Sequence, residues 1–136
     1  MSIEAEIFTR LSGFAGLLAL VGSRIYPVEL PQNVEMPAVN YQRVSAPRVS
    51  AMGVDTGIVL ARFQFDCWSG EHADGTMGTF DETRAVAKQV RLALQRWRNT
   101  SGTIVQDSFI VGDIDVPEPE PGTYHAALDF KIIYEE

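Results

Sequence analysis

The chain has 136 residues, 46% of them hydrophobic, with a formal net charge of −7, a sequence pI near 4.8 and a mean hydropathy of −0.01. That size predicts one globular domain over residues 1–136, able to bury a core without metal, and the lone Cys67 excludes a disulfide framework within the chain. The acidic balance excludes general nucleic-acid binding; the apolar run 14–21 is too short to cross a bilayer and follows Glu4, Glu6 and Arg10 where a signal peptide would be basic, so synthesis in the cytoplasm and no membrane are expected.

Ser2 can cap a helix over residues 3–21, with Glu4 and Glu6 in the first turn where the helix dipole favours acids. Ile7, Leu11, Phe14 and Leu18 form its stripe; the apolar end 17–21 is expected to be the better buried, and Gly22 stops it. Residues 24–27 are short and extended, and Pro31, Asn33 and Pro37 keep the next stretch irregular. Residues 37–45 alternate, with Val39 and Tyr41 on one side and Asn40 and Gln42 on the other, so a strand is expected. Residues 46–57, with Pro47, Gly53 and Gly57, are expected as a long polar loop to the next strand, forming an antiparallel pair. Met52 and Val54 near its tip are odd choices for plain solvent exposure.

The strongest signal lies in residues 58–97, a strand followed by a helix. Val59, Ala61, Phe63, Phe65 and Cys67 point one way; Leu60, Arg62, Gln64 and Asp66 point the other. After a turn-rich stretch, Thr79-Phe-Asp-Glu82 matches a capping box. Phe80, Thr83, Ala87, Val90, Leu94 and Trp97 then recur at helical spacing as one stripe. Residues 103–111 read as a strand of poor alternation, and Pro117, Pro119 and Pro121 forbid regular structure after it. On the last strand Tyr124, Ala126, Leu128, Phe130, Ile132 and Tyr134 share one face, with His125, Asp129 and Lys131 on the other. The order of elements predicts an α+β fold: a mainly antiparallel sheet of four to five strands with two helices packed on one face. Its edges and its partly polar outer face call for cover by neighbouring subunits.

Candidate chemistry is thin. Glu71, His72 and Asp74 share a loop, but three ligand types in a loop fix no metal geometry, and a solvated loop is the simpler account. Gly70, Gly75 and Gly78 precede a helix without the Gly-Lys-Ser/Thr ending of a phosphate loop. Cys67 reads as a small core residue, and the Asn99-Thr-Ser101 sequon has meaning only in a secreted protein. No acid, base and nucleophile assemble, so no catalytic, cofactor or metal residue is assigned and an enzyme is not expected. Charge is unevenly placed: Arg84, Lys88, Arg91, Arg96 and Arg98 crowd the second helix, and Asp107, Asp113, Asp115, Glu118 and Glu120 follow it. These are either solvated faces or complementary patches that meet between subunits.

Four stretches carry a family resemblance: an N-terminal helix leading into Gly22-Ser-Arg-Ile-Tyr-Pro27; a proline-rich approach to Met36-Pro-Ala-Val-Asn-Tyr-Gln42; the strand Arg62-Phe-Gln-Phe-Asp-Cys-Trp68 ahead of the helix over 83–94; and the end Pro119-Glu-Pro-Gly-Thr-Tyr-His-Ala-Ala-Leu-Asp-Phe-Lys-Ile132. In order and spacing they resemble the siphophage tail-terminator or tail-completion family, relatives of the minor tail protein that caps the phage lambda tail. The resemblance implies a structural virion protein at the tail–neck junction of a phage or phage-derived particle. It also implies a homohexameric ring that ends growth of the tail tube, with the tube protein and a head–tail connector or neck protein as partners. DNA would pass through the lumen without specific binding, which an acidic ring favours. Within such a ring Arg84, Lys88, Arg91 and Arg98 are expected to face Asp113, Asp115, Glu118 and Glu120 of the next subunit, and Arg48, Met52 and Val54 to touch tube or neck. Two alternatives stay open: a non-ring adaptor of a tail-like or secretion machine, and a small-molecule-binding or catalytic α+β domain.

Overall fold

The computed structural model describes residues 2–136. The elements run α1 (Ile3–Ser12), α2 (Ala15–Val21), β1 (Ile25–Pro27), β2 (Ala38–Ser45), β3 (Arg48–Ala51), β4 (Val54–Ser69), α3 (Phe80–Leu94), β5 (Val105–Val116) and β6 (Tyr124–Glu135). The class is α+β, with helices covering one face of the sheet. The sheet has six strands rather than four to five, in the order β1-β2-β4-β6-β5, with β3 also paired to β4. It is mixed: β1 runs parallel to β2, with Ile25 beside Val39, and every other pair is antiparallel. A parallel neighbour needs a crossover, and the irregular proline-bearing residues 28–37 supply it.

β4 and β6 are the sheet's centre. They pair from Ile58–Glu135 to Ser69–Tyr124, which sets Phe63 across from Phe130 and Phe65 across from Leu128. Phe65 also meets Phe130 edge-on, with ring centroids 5.6 Å apart. All four side chains are fully buried beneath Val86, Ala87, Val90 and Leu94 of α3, with Ile7 and Leu11 of α1 and Leu17 and Val21 of α2 completing one core. The two-residue periodicity of the strands and the 3.6-residue periodicity of α3 meet there, each covering the other's apolar side.

Three expectations need correction. The N-terminal helix is broken: Gly13 ends α1, and α2 starts anew after Phe14. The break shifts the stripe: Leu17 and Val21 at the apolar end are buried as expected, but Leu18 is 40% exposed. A glycine costs about 1 kcal/mol inside a helix, and here the interruption lets both Leu11 and Leu17 face the core. The supposed loop over 46–57 is a hairpin, with β3 folding back on β4 through a Met52-Gly53 turn in which Gly53 takes φ 73°. Finally, α3 stops at Leu94, and Arg96 turns the chain at φ 58°, which still buries Trp97. The capping box is half made. Thr79 Oγ1 accepts from the Glu82 amide at 3.1 Å, but the Glu82 carboxylate reaches instead to the Ser69 hydroxyl at 2.6 Å and His72 Nε2 at 2.8 Å.

Candidate functional site

The basic side chains of α3 and its exit do not act as one group. Asp113 and Asp115 on β5 lie on the helix side of the sheet, across from Leu128 and Ala126, and face α3. Arg84 donates to Asp113 Oδ2 at 2.7 Å and to Asp115 Oδ1 at 3.1 Å; burial opposes its charge but the two carboxylates raise its pKa. Arg96 pairs with Asp107 at 2.6 Å and lies 5.3 Å over the Phe109 ring. Three of the residues expected to meet across a subunit boundary, Arg84, Asp113 and Asp115, therefore satisfy one another within the chain. Lys88, Arg91, Arg98 and Glu120 have no ion pair among the described residues.

Glu118 is also taken, by a cluster that sequence periodicity did not assemble. On the helix-free face, Trp68 and His125 are cross-strand neighbours on β4 and β6, and their rings stack at 3.8 Å with a 12° interplanar angle. His125 Nε2 lies 2.7 Å from Asp66 Oδ1, and Nδ1 lies 2.9 Å from Glu118 Oε1. Both ring nitrogens face carboxylate oxygens, and against two ionised carboxylates both donate, which is the imidazolium form. Burial alone would lower the His125 pKa; hydrogen bonds to Asp66 and Glu118 outweigh it and raise the value. Asp66 is further held by Gln64 Nε2 at 2.8 Å, while Asn40 accepts from Trp68 Nε1 at 2.7 Å and donates to the Val28 carbonyl at 2.8 Å. The cluster pins the proline-rich β5–β6 connector and the turn after β1 to the sheet. The signal for it lay in the polar stripes of two strands, but only their register brings Asp66 and His125 together.

The loop over 70–78 is held by His72 between Glu82 and Thr76 and by an antiparallel bridge from Glu71 to Met77. Asp74 accepts from Thr76, which lowers its pKa. His72 thus has protein partners, and among the described residues no group of three His, Cys, Asp or Glu side chains is placed to hold a metal ion. Cys67 is buried, and burial drives its thiol pKa well up, as a core residue requires. No helix is long and apolar enough to cross a membrane among the described residues.

The third feature is the hairpin. β6 accompanies β4 only from Ile58 onward, so Val54–Gly57 of β4 and the end of β3 extend past the sheet as a two-stranded arm. Met52 at its tip is 100% exposed and Val54 is 62% exposed. Arg48, at its base, is tied to Glu136 at 2.9 Å. A lone hairpin is marginal in water, and this arm carries apolar residues outward with nothing over them.

Among curated proteins, none matches the chain. In fold it is similar to a chain of a solved structure described as the virion of a native gene transfer agent (GTA) particle, with a TM-score of 0.71, at 18% identity, over 99% of this chain and 96% of that one. The family described as "Tail completion protein gp17" matches residues 5–135. With nearly its whole length matched, the chain belongs to the family of the tail completion protein gp17 and is a structural protein of the virion tail.

Proposed function

We propose that the chain is a single-domain subunit of a homohexameric ring that caps the tail tube, ends tube polymerisation and joins tail to neck. The observation that carries this is the family match over residues 5–135. The surface supports it. Past Ile110 the outer edge of β5 has no backbone partner among the described residues, the half of the helix-free face around Leu60 and Val111 is open, and the arm projects. Strand edges and arms of this kind are covered when subunits close on one another. Lys88, Arg91 and Arg98 on one side and Glu120 on the other supply opposite charges for the boundary, while tube and neck proteins meet the two rims. Because each subunit carries a net charge of −7, the collar would repel DNA rather than hold it as it passes. The work is done by shape and surface, with no bond-making step.

Particles assembled without the chain test this. Tails of uncontrolled length that fail to join heads are expected, together with a hexameric mass for the purified protein by native mass spectrometry. Tails of normal length joined to heads in its absence would refute the proposal.

A further inference from the structure

On the helix-free face, the half of the sheet away from the His125 cluster forms a groove of about 390 Å³ lined by Ser45, Pro47, Leu60, Arg62, Val111 and Lys131. Its floor is apolar and its rim basic. Arg62 and Lys131 are direct cross-strand partners, a repulsive pairing, and among the described residues only Asp129 pairs with either, 2.9 Å from Arg62. Lys131 has no ion pair among the described residues. The groove therefore lacks an apolar plug, and its rim carries two cations against one carboxylate.

The arm offers an apolar plug and a further carboxylate. Met52 and Val54 are exposed apolar side chains at its tip, and Asp55 beside them is exposed and has no ion pair among the described residues. The pairing of β3 with β4 fixes the arm as an extension of its own strand, directed away from the body that carries its own groove. We propose that the arm of one copy seats in the groove of a second copy, Met52 and Val54 on Leu60 and Val111, and Asp55 toward Lys131 and Arg62. Tip and groove are different patches, so the contact is head-to-tail, the kind that repeats around a ring. This rests on the ring of the proposed function and names its joint.

Full-length protein tests it. Met52 and Val54 are exposed, so Met52→Glu with Val54→Glu leaves folding intact, which far-UV circular dichroism and thermal melting verify. The expected result is a roughly thirtyfold or greater loss in association constant, as for removal of an interface anchor, read by sedimentation and native mass spectrometry. Asp55→Lys and Lys131→Glu should each weaken association, and combining them should restore it. As a geometric control, Met52→Cys chains mixed with Val111→Cys chains should form an oxidised cross-link between the two; the native Cys67 is buried and does not compete. If the ring persists in the Glu variant and no cross-link forms, the joint lies elsewhere while the ring stands. If the Glu variant keeps the ring but no longer binds tail tubes or neck protein, the arm belongs to that partner and the proposal is overturned. A wild-type chain that stays monomeric, with no cross-link between the two cysteine variants, overturns joint and ring together.

Discussion

Replacing His125 with Phe keeps a ring on Trp68 but removes both N–H donors from the cluster on the open sheet face. The side chains of Asp66 and His125 are 6% and 10% exposed, and that of Glu118 is 22% exposed. Glu118 can turn to water; Asp66 cannot, and keeps only Gln64 and Asn40 as donors. Stranding a buried carboxylate costs about 3 kcal/mol, which at this chain length lowers the melting temperature by roughly 10 °C. The loss depends on pH in a definite sense. The folded-state pKa of His125 is raised above its ordinary 6.5, so the imidazolium's contribution is whole below pH 6.5 and fades as pH climbs through the folded value. The gap between wild type and His125→Phe should thus be widest at about pH 6 and shrink by pH 9. Denaturant unfolding at both pH values, at one fixed protein concentration so that association adds equally, measures it. A gap under about 1 kcal/mol at pH 6, or one that does not change with pH, would show that the cluster is not the charged clamp its geometry indicates.

Three further outcomes are expected. Arg91→Glu with Arg98→Glu should weaken the ring more at low salt than at high, because their charges have no ion pair among the described residues; unchanged oligomer size and salt response in sedimentation would remove α3 from the boundary. Gly78→Ala should cost about 2 kcal/mol in denaturant unfolding, since its Cβ would stand 2.0 Å from Ser69 Oγ and 2.7 Å from the Gly70 carbonyl, leaving the backbone to move. Cys67 should resist thiol reagents in the native protein and react at the rate of unfolding, because its thiol is buried and its pKa is raised; fast labelling would put the strand's inner face in contact with solvent.

Much of the fold was legible because β4, β6 and α3 each repeat one period for several turns: Phe63, Phe65, Leu128, Phe130, Val90 and Leu94 are buried as their spacing demanded. The misses have local physical causes. Gly13 interrupts a helix whose apolar residues continue in a different phase, and composition alone does not say where the phase slips. β3 is short and wholly exposed, so hydrophobic alternation had nothing to register. The His125 cluster and the Arg62–Lys131 groove depend on which residues face each other across strands, and periodicity within one strand leaves that open. The pairing within the charge clusters was hidden for the same reason: Arg84 and Asp113 are 29 positions apart yet hydrogen-bonded. Lys88, Arg91, Arg98 and Glu120, which make no ion pair among the described residues, are the ones the proposed boundary draws on.

β4 carries the core and the arm on one unbroken run of backbone, and Gly57, at φ 79° with the Glu136 carbonyl 3.3 Å from where a Cβ would stand, marks the join. A pull on Met52 therefore has no soft tether to absorb it. It passes through a single residue into the strand held by β3 and β6 at that end and by β2 and β6 further along, so that strain at the periphery is handed to the centre of the sheet.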